Sequence, residues 1–301
     1  MISQSEINQI CQKESLIFEK IIRTSDRFVL VLGKENNRDI VLKILRNPRR
    51  TFTKIALKKE AAALNFFNKI KNPNLKVPQL LKTSFLGKYP YYKEEFIKGE
   101  TLEAKEGFFF KKLDKKEIKQ LSDMVSFLNK VDNSKIKKSV LKLSNFGNFY
   151  FDFALKWHRK EIVFFLKKEK IEKLFNLIKK AKEILTPRNL AVVHGEIYPN
   201  NLMEDKKGRI FLLDWENIGL GNLGHDAASV YLRLKDEYLS QFFLKNLNLS
   251  KQKFFQYFFT IEIVLQSIGS LSHFNEVKTI SKKFKKEARI HFLKKINQFL
   301  I

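Results

Sequence analysis

Three polar clusters interrupt the stretch 190–226, which reads LAVVHGEIYPNNLMEDKKGRIFLLDWENIGLGNLGHD. An apolar run at 190–193 stops at His194-Gly195-Glu196, and a second at 210–213 stops at Asp214-Trp215-Glu216. A short strand that ends in a carboxylate leaves that carboxylate in a loop, where binding and chemistry concentrate. Between the two runs, Asp205-Lys206-Lys207-Gly208 is a turn signal. A hairpin there pairs residue 204 with 209 and 203 with 210, and sets Asn201 opposite Leu212. Asp214 follows two residues later, so an amide oxygen and a carboxylate arrive at the same end. Hard oxygen donors of this kind suit Mg²⁺, which takes its remaining ligands from water and phosphate. Glu196 precedes Asn201 across a tight loop containing Pro199 and approaches the same point.

Other chemistries lack their parts. His194-x-Glu196 matches half of a deaminase zinc motif, but that motif needs a Cys-x-x-Cys pair and the chain has one cysteine, Cys11. His194 has no serine or cysteine nucleophile in local context and reads as an orienting residue. Asp226 stands at the start of a helical pattern (DAASVYLRL) and is expected to cap that helix and to brace the preceding loop.

The elements that must position these groups begin upstream. Runs at 28–33 and 39–45 flank the polar segment Lys34–Arg38 and predict a hairpin, with 16–22 as a preceding strand. Val41, Lys43 and Leu45 share one strand face, which puts a lysine among apolar neighbours. The segment 53–70 predicts a helix with Ala56, Ala63, Leu64 and Phe67 on its apolar face. Glu60 falls on that same face, while Lys58, Asn65 and Lys69 take the other. A carboxylate among apolar residues needs a partner, and Lys43 is the natural one. Such a strand-lysine and helix-glutamate pair is what kinases use to hold nucleotide phosphates. Strands at 77–81 and 91–97 complete a small α+β lobe. Residues 94–98 then connect to a second lobe, with backbone groups of Glu95, Phe96 and Ile97 expected to hold an adenine edge. No glycine-rich phosphate loop is present; the turn 23–27 offers hydroxyls and N–H groups to a phosphate or is an ordinary turn.

The second lobe reads as mainly helical: 114–131, an irregular aromatic segment 139–153, one or two long helices over 153–185, a buried helix near 254–271 and a terminal amphipathic helix within 275–301. Trp157-His158-Arg159 is a weak candidate for the substrate site. The chain's 301 residues and 44% hydrophobic content suffice for two lobes with cores. Its formal charge of +26 raises nucleic-acid binding as a class, but the lysines are dispersed over the whole length and read as solvated faces, so no specific nucleic-acid partner is expected. The single cysteine allows no disulfide within the chain and no cysteine zinc site. The start carries no leader pattern, and Gln256, Glu262 and Gln266 interrupt the most apolar late stretch, so no membrane span and a cytoplasmic location are expected.

In order along the chain, Lys43, Glu60, Gly99-Glu100-Thr101-Leu102, His194-Gly195-Glu196-x-x-x-x-Asn201, Leu212-Leu213-Asp214-Trp215-Glu216 and Gly224-x-Asp226 together resemble the aminoglycoside phosphotransferase and choline kinase superfamily. The resemblance spans about the whole chain. It implies a bilobal protein-kinase-like α+β fold, with an N-lobe at 1–97, a C-lobe at 98–301 and ATP between them. It further implies that Lys43 holds the α- and β-phosphates, that Glu60 positions Lys43, and that Asn201 and Asp214 bind Mg²⁺. Residue 196 becomes the catalytic base facing the hydroxyl of a small molecule. The family usually has Asp there, whereas this chain has Glu, whose stem is one methylene longer. An active small-molecule kinase is therefore expected, with a pseudokinase that binds nucleotide as the alternative and a basic nucleic-acid binder behind both. The net charge speaks against a polycationic aminoglycoside and fits a neutral or anionic hydroxyl compound, such as a sugar, better; a sugar or amino alcohol is the expected acceptor. A choline-like acceptor would want an aromatic cage, for which Trp215, Tyr150 and Trp157 are the candidates.

Overall fold

The polar tip between the first long strands closes as a two-residue turn in which Asn36 and Asn37 both take positive φ, 48° and 61°. That backbone matches the twist of the flanking strands, and asparagine adopts it at low cost. The structure, a computed structural model, describes residues 1–140, 142–186, 190–249, 254–277 and 279–300. In chain order it begins with α1 (Gln4–Lys13), β1 (Ile17–Thr24), β2 (Phe28–Glu35), β3 (Arg38–Leu45), α2 (Thr51–Ile70), β4 (Leu80–Ser84), β5 (Tyr91–Glu95) and β6 (Gly99–Thr101). There follow α3 (Lys115–Leu128), α4 (Asn133–Ser139), β7 (Ser144–Phe146), α5 (Asn148–Trp157), α6 (Arg159–Phe165), α7 (Lys168–Ile184) and β8 (Ala191–Val193). The chain continues through β9 (Leu202–Asp205), β10 (Ile210–Leu212), β11 (Gly219–Gly221), α8 (His225–Arg233), α9 (Glu237–Asn246), α10 (Phe255–Glu276) and α11 (Lys282–Phe299). The fold is mixed α+β, β-rich at the N-terminal end and helical beyond.

Two compact units form. The first comprises Met1–Glu100, Ile136–Leu143 and Met203–Ile218; the second comprises Thr101–Lys135, Ser144–Leu202 and Gly219–Ile301.

The first unit is built on a five-stranded sheet of order β1-β2-β3-β5-β4, its neighbours antiparallel. β3 is central and buried continuously from Ile40 to Leu45, so Lys43 is enclosed on a strand buried on both faces. Its register sets Lys43 opposite Leu30 on β2 and Tyr92 on β5. Helix α2 buries Ala56, Glu60, Ala63, Leu64 and Phe67, the expected stripe, and exposes Lys58, Asn65 and Lys69. Helix α1 lies outside the elements expected from sequence. Ser3 and Glu6 form a reciprocal capping box at its start, and Ile7 and Cys11 pack with Val29, Val31, Leu42 and Ile44. That Ser-x-x-Glu spacing is a legible helix-start signal.

The hairpin of β9 and β10 differs by one residue from its expected register. The Asp205 N–H donates to the Arg209 carbonyl (3.0 Å) and the Gly208 N–H to the Asp205 carbonyl (2.9 Å). Gly208 at φ 68° takes the left-handed position of a three-residue turn, so residue 205, not 204, lies opposite 209.

In the second unit, α3 starts at an Asp114–Glu117 capping box. The segment expected to be irregular contains β7 and the start of α5, and three shorter helices replace the expected one or two. Asn145 to Asn148 are both turn markers and a helix entry, which composition alone does not separate. Helix α10 is buried on nearly every side, as a central helix must be. It packs against α8 and α11. Among the described residues no helix is long and apolar enough to cross a membrane.

The α8–α10 contact depends on Gly224. A Cβ there would lie 2.5 Å from the Phe259 nitrogen and 2.6 Å from its Cα. Backbone cannot yield as a flexible side chain does, so Gly224→Ala is expected to cost about 2–3 kcal/mol, the upper part of the overpacking range. Urea denaturation of the full chain measures this; a loss below about 0.5 kcal/mol would show that α8 can shift freely on α10.

Candidate functional site

In the first unit, a buried cation gathers carboxylates from distant segments. Lys43 Nζ donates to Glu60 Oε2 at 2.6 Å and to Asp214 Oδ1 at 3.0 Å, and lies 4.8 Å from the centroid of the Phe28 ring. Burial alone would lower the Lys43 pKa, but Glu60 and Asp214 outweigh it and hold the ammonium well above the ordinary lysine value. Glu60 and Asp214 therefore favour the charged form of Lys43. Glu94 on β5 belongs to the same field: burial, then the charge of Glu60, pushes its carboxyl up to about 8.

Asp214 follows β10 in a left-handed conformation (φ 60°, ψ 65°), strained for a residue with a side chain. The turn after it is anchored in the same unit. Trp215 is fully buried with its ring 4.5 Å from that of Phe67 on α2, and its Nε1–H donates to the Leu212 carbonyl. Glu216 accepts both forks of Arg27, at 2.8 and 2.7 Å. These contacts fix the backbone on both sides of Asp214, which is how a strained carboxylate stays aimed.

These contacts refine several expectations. The backbone N–H groups of Glu95 and Phe96 are already donated to Gln79 and Asp39, so these two do not offer N–H donors to an adenine edge. Ile97 is buried beside them. In the turn 23–27, the Ser25 hydroxyl accepts from the N–H groups of Arg27 and Phe28, so the turn satisfies itself as an ordinary one. Trp215, buried against Phe67, is not a cage wall, and Trp157 is exposed.

The second unit holds the loop that carries Glu196. Asp226 accepts from the His194 N–H (2.7 Å) and the Gly195 N–H (3.0 Å). It lies inside α8, whose cap position is Gly224, so Asp226 braces the loop without capping the helix. Gly195 has φ 91°, a conformation that favours glycine. His194 is fully buried and its Nδ1 accepts from the Glu196 N–H at 3.3 Å, an orienting contact. The Asn201 side-chain nitrogen donates to the Glu196 carbonyl (3.0 Å), which turns the amide oxygen away from that bond. Asn201 thus presents a hard oxygen donor suited to a divalent cation.

A second layer was not foreseen from sequence. His225 faces Glu262 Oε2 through Nδ1 (3.0 Å) and the Gly195 carbonyl through Nε2 (3.4 Å), while Glu262 also accepts from Asn222 and Gln266. The signal available was Glu262 itself, a carboxylate in an otherwise apolar helix. Burial alone would lower the His225 imidazole, yet Glu262 holds it above the ordinary histidine value. Burial raises Asp226 despite His225, His194 and the two N–H groups that favour its charge.

The same unit contains a cavity of about 620 Å³ bordered by Tyr198, Pro199 and Asn200 of this loop, together with Tyr150, His158 and Arg233. Of the three residues at 157–159, His158 is the one that lines it.

A profile of the phosphotransferase enzyme family matches residues 23–248. Solved structures of similar fold include the GDP and kanamycin complex of APH(2")-IIia, with 11% identity, TM-score 0.68, and 98% of this chain and 99% of that one covered. They also include macrolide 2'-phosphotransferase MphH from Brachybacterium faecium, with 13% identity, TM-score 0.63 and coverage of 95% and 97%. Choline kinase LicA from Streptococcus pneumoniae has 14% identity, TM-score 0.61 and coverage of 98% and 100%. No curated protein matches by sequence.

The His225–Glu262 pair gives a pH-dependent test of the loop's support. His225 holds its proton more tightly folded than unfolded, so this stabilisation is complete below about pH 6.5 and is lost as pH rises through the higher folded value. Glu262→Gln should drop the His225 pKa below the ordinary histidine value, read by imidazole NMR titration. It should also cost about 3 kcal/mol near pH 5.5 and clearly less near pH 9 in urea denaturation. An equal loss at both would show that Glu262 accepts hydrogen bonds without holding the charge of His225.

Proposed function

The chain belongs to the phosphotransferase enzyme family, and from that premise we propose that it transfers the γ-phosphoryl group of ATP to a hydroxyl of a small metabolite, a sugar or amino alcohol in preference to an aminoglycoside. The observation that carries this reading is Lys43, a buried ammonium bonded to Glu60 and Asp214. A cation kept charged beside the expected metal ligand serves phosphate binding; a decayed site has no reason to maintain it. Solved structures of similar fold in complex with GDP or ADP support a nucleotide as donor.

In this reading Lys43 holds the α- and β-phosphates and Glu60 fixes the Lys43 side chain. Glu95, Phe96 and Ile97 border the base. The Asn201 amide oxygen and the Asp214 carboxylate hold Mg²⁺, which neutralises phosphate charge when bound. Both donors are hard oxygens, and the Asn201 nitrogen is already spent on the Glu196 carbonyl, so this donor set suits the ion. Glu196 accepts the proton of the acceptor hydroxyl as its oxygen bonds to the γ-phosphorus. The bond from that phosphorus to the β,γ-bridging oxygen breaks, and ADP departs with the electron pair. Asp226, His194 and His225 act on the loop and touch no reacting atom.

The longer Glu196 stem is compatible with transfer because such transition states are loose and depend more on positioning and charge than on proton removal. Glu196→Gln is expected to lower kcat by about 10²–10⁴-fold with nucleotide affinity little changed. Glu196→Asp should retain turnover, and Asp214→Ala should abolish it. ATP consumption across a panel of sugars, amino alcohols and aminoglycosides, with nucleotide binding by calorimetry, measures all three. Unchanged turnover in Glu196→Gln would remove the base role. Nucleotide binding by the unaltered chain with no turnover on any acceptor would make it a pseudokinase.

A further inference from the structure

Arg233, the last residue of α8, is buried to 2% exposure at the wall of the second unit's cavity. Its orientation is fixed from three directions. Nη1 donates to the Ser229 carbonyl one turn earlier (2.8 Å), and the guanidinium carbon lies 3.7 Å from the Tyr198 ring centroid and 4.7 Å from that of Phe108. Those partners are all neutral: a carbonyl, two rings and the Tyr198 hydroxyl, which shares a side-chain hydrogen bond with the guanidinium. The Nε atom is buried with no hydrogen-bond partner. The charge of Glu196 on the loop favours the charged form of Arg233.

A buried guanidinium with an unspent donor is costly, since removing a charge from water is repaid only by pairing and full hydrogen bonding. Nε borders the edge of the guanidinium that takes a carboxylate or phosphate side-on, with two parallel donors. Here that edge is held rigid before any ligand arrives, which lowers the ordering cost of binding. A second orphan lines the same cavity: His158 Nδ1 is buried without a partner, and burial keeps its imidazole below the ordinary histidine value and so neutral. Gly269 leaves room for that ring, since a Cβ there would approach its Nε2 to 3.2 Å. The cavity also has two carboxylates. Glu103 accepts from the Phe108 N–H at 3.0 Å, and Glu106 is exposed. The acidic groups are thus tied to the loop or open to water, whereas the buried Arg233 Nε and His158 Nδ1 have no partner.

We propose that this cavity binds a small hydroxyl compound that also carries an oxyanion, a carboxylate or a phosphate, and that Arg233 receives that group. That the compound is the phosphoryl acceptor rests on the reading above; that an oxyanion binds at Arg233 does not.

Calorimetric titration of the full chain without nucleotide tests it. The probes are D-glucose 6-phosphate against D-glucose, D-gluconate against D-glucitol, inorganic phosphate, and choline as a cation. At least one oxyanion probe is expected to bind roughly 10–100-fold tighter than its neutral counterpart, the margin of a charge-assisted hydrogen bond. Arg233→Met should lose that margin. Arg233→Lys should keep part of it. Equal binding of charged and neutral probes, no binding of any oxyanion probe, tighter binding of choline, or a margin preserved in folded Arg233→Met would each overturn the proposal. The comparison of probes on the unaltered chain stands even where Arg233→Met does not fold. ATP consumption with the same probes is read separately: binding without turnover removes the acceptor role and leaves the oxyanion site in place.

Discussion

A lysine ammonium enclosed on the central strand of a sheet sets the terms for the first unit. Lys43 is buried on β3, and burial disfavours its charge unless anions compensate. The compensation comes from Glu60 on α2 and from Asp214, which is far away in sequence. Satisfying one charge therefore requires the helix to lie with its polar position toward the strand. It also requires the segment after β10 to return to the same unit. Trp215 packed on Phe67, and Glu216 clasped by Arg27, hold that returning segment in place. The strained backbone at Asp214 is tolerated because its neighbours on the chain are fixed so firmly.

The second unit solves a comparable problem with backbone amides. The loop that carries the Glu196 carboxylate has N–H groups with no helix or strand to receive them, and buried ones need acceptors. Asp226 takes two of them, and His225, held by Glu262, faces the Gly195 carbonyl. The supporting charges sit in helices α8 and α10, whose close approach at Gly224 is a packing constraint with consequences for the loop. Rigid elements thereby fix a loop that could not fix itself, as a site that depends on positioning requires.

Arg233 extends this arrangement to the cavity. It closes α8 at the end opposite Asp226, so one helix presents the loop brace near its start and a buried cation at its end. The aromatic rings of Tyr198 and Phe108 make a low-polarity setting in which that cation acts strongly on whatever charge it meets.

Residue types and spacings by themselves determined the strand with Lys43, the helix with Glu60 on its apolar face, the β9–β10 hairpin, and the buried character of α10. Each follows from a local rule: period two in strands, period 3.6 in helices, polar turns between them. The family was legible too, because its residues recur in order along the chain. Tertiary structure decided the rest. The one-residue shift of the hairpin came from the left-handed glycine in its turn. The N–H groups of Glu95 and Phe96 proved engaged because neighbouring backbone took them. Asp226 kept its expected brace, accepting from two loop amides, and lost its expected cap because α8 starts after Gly224. Glu262 showed in sequence as an interruption, and only packing revealed that His225, Asn222 and Gln266 meet it. Pairing of buried charges and donors is a property of three-dimensional neighbours, and sequence separation carries no record of it.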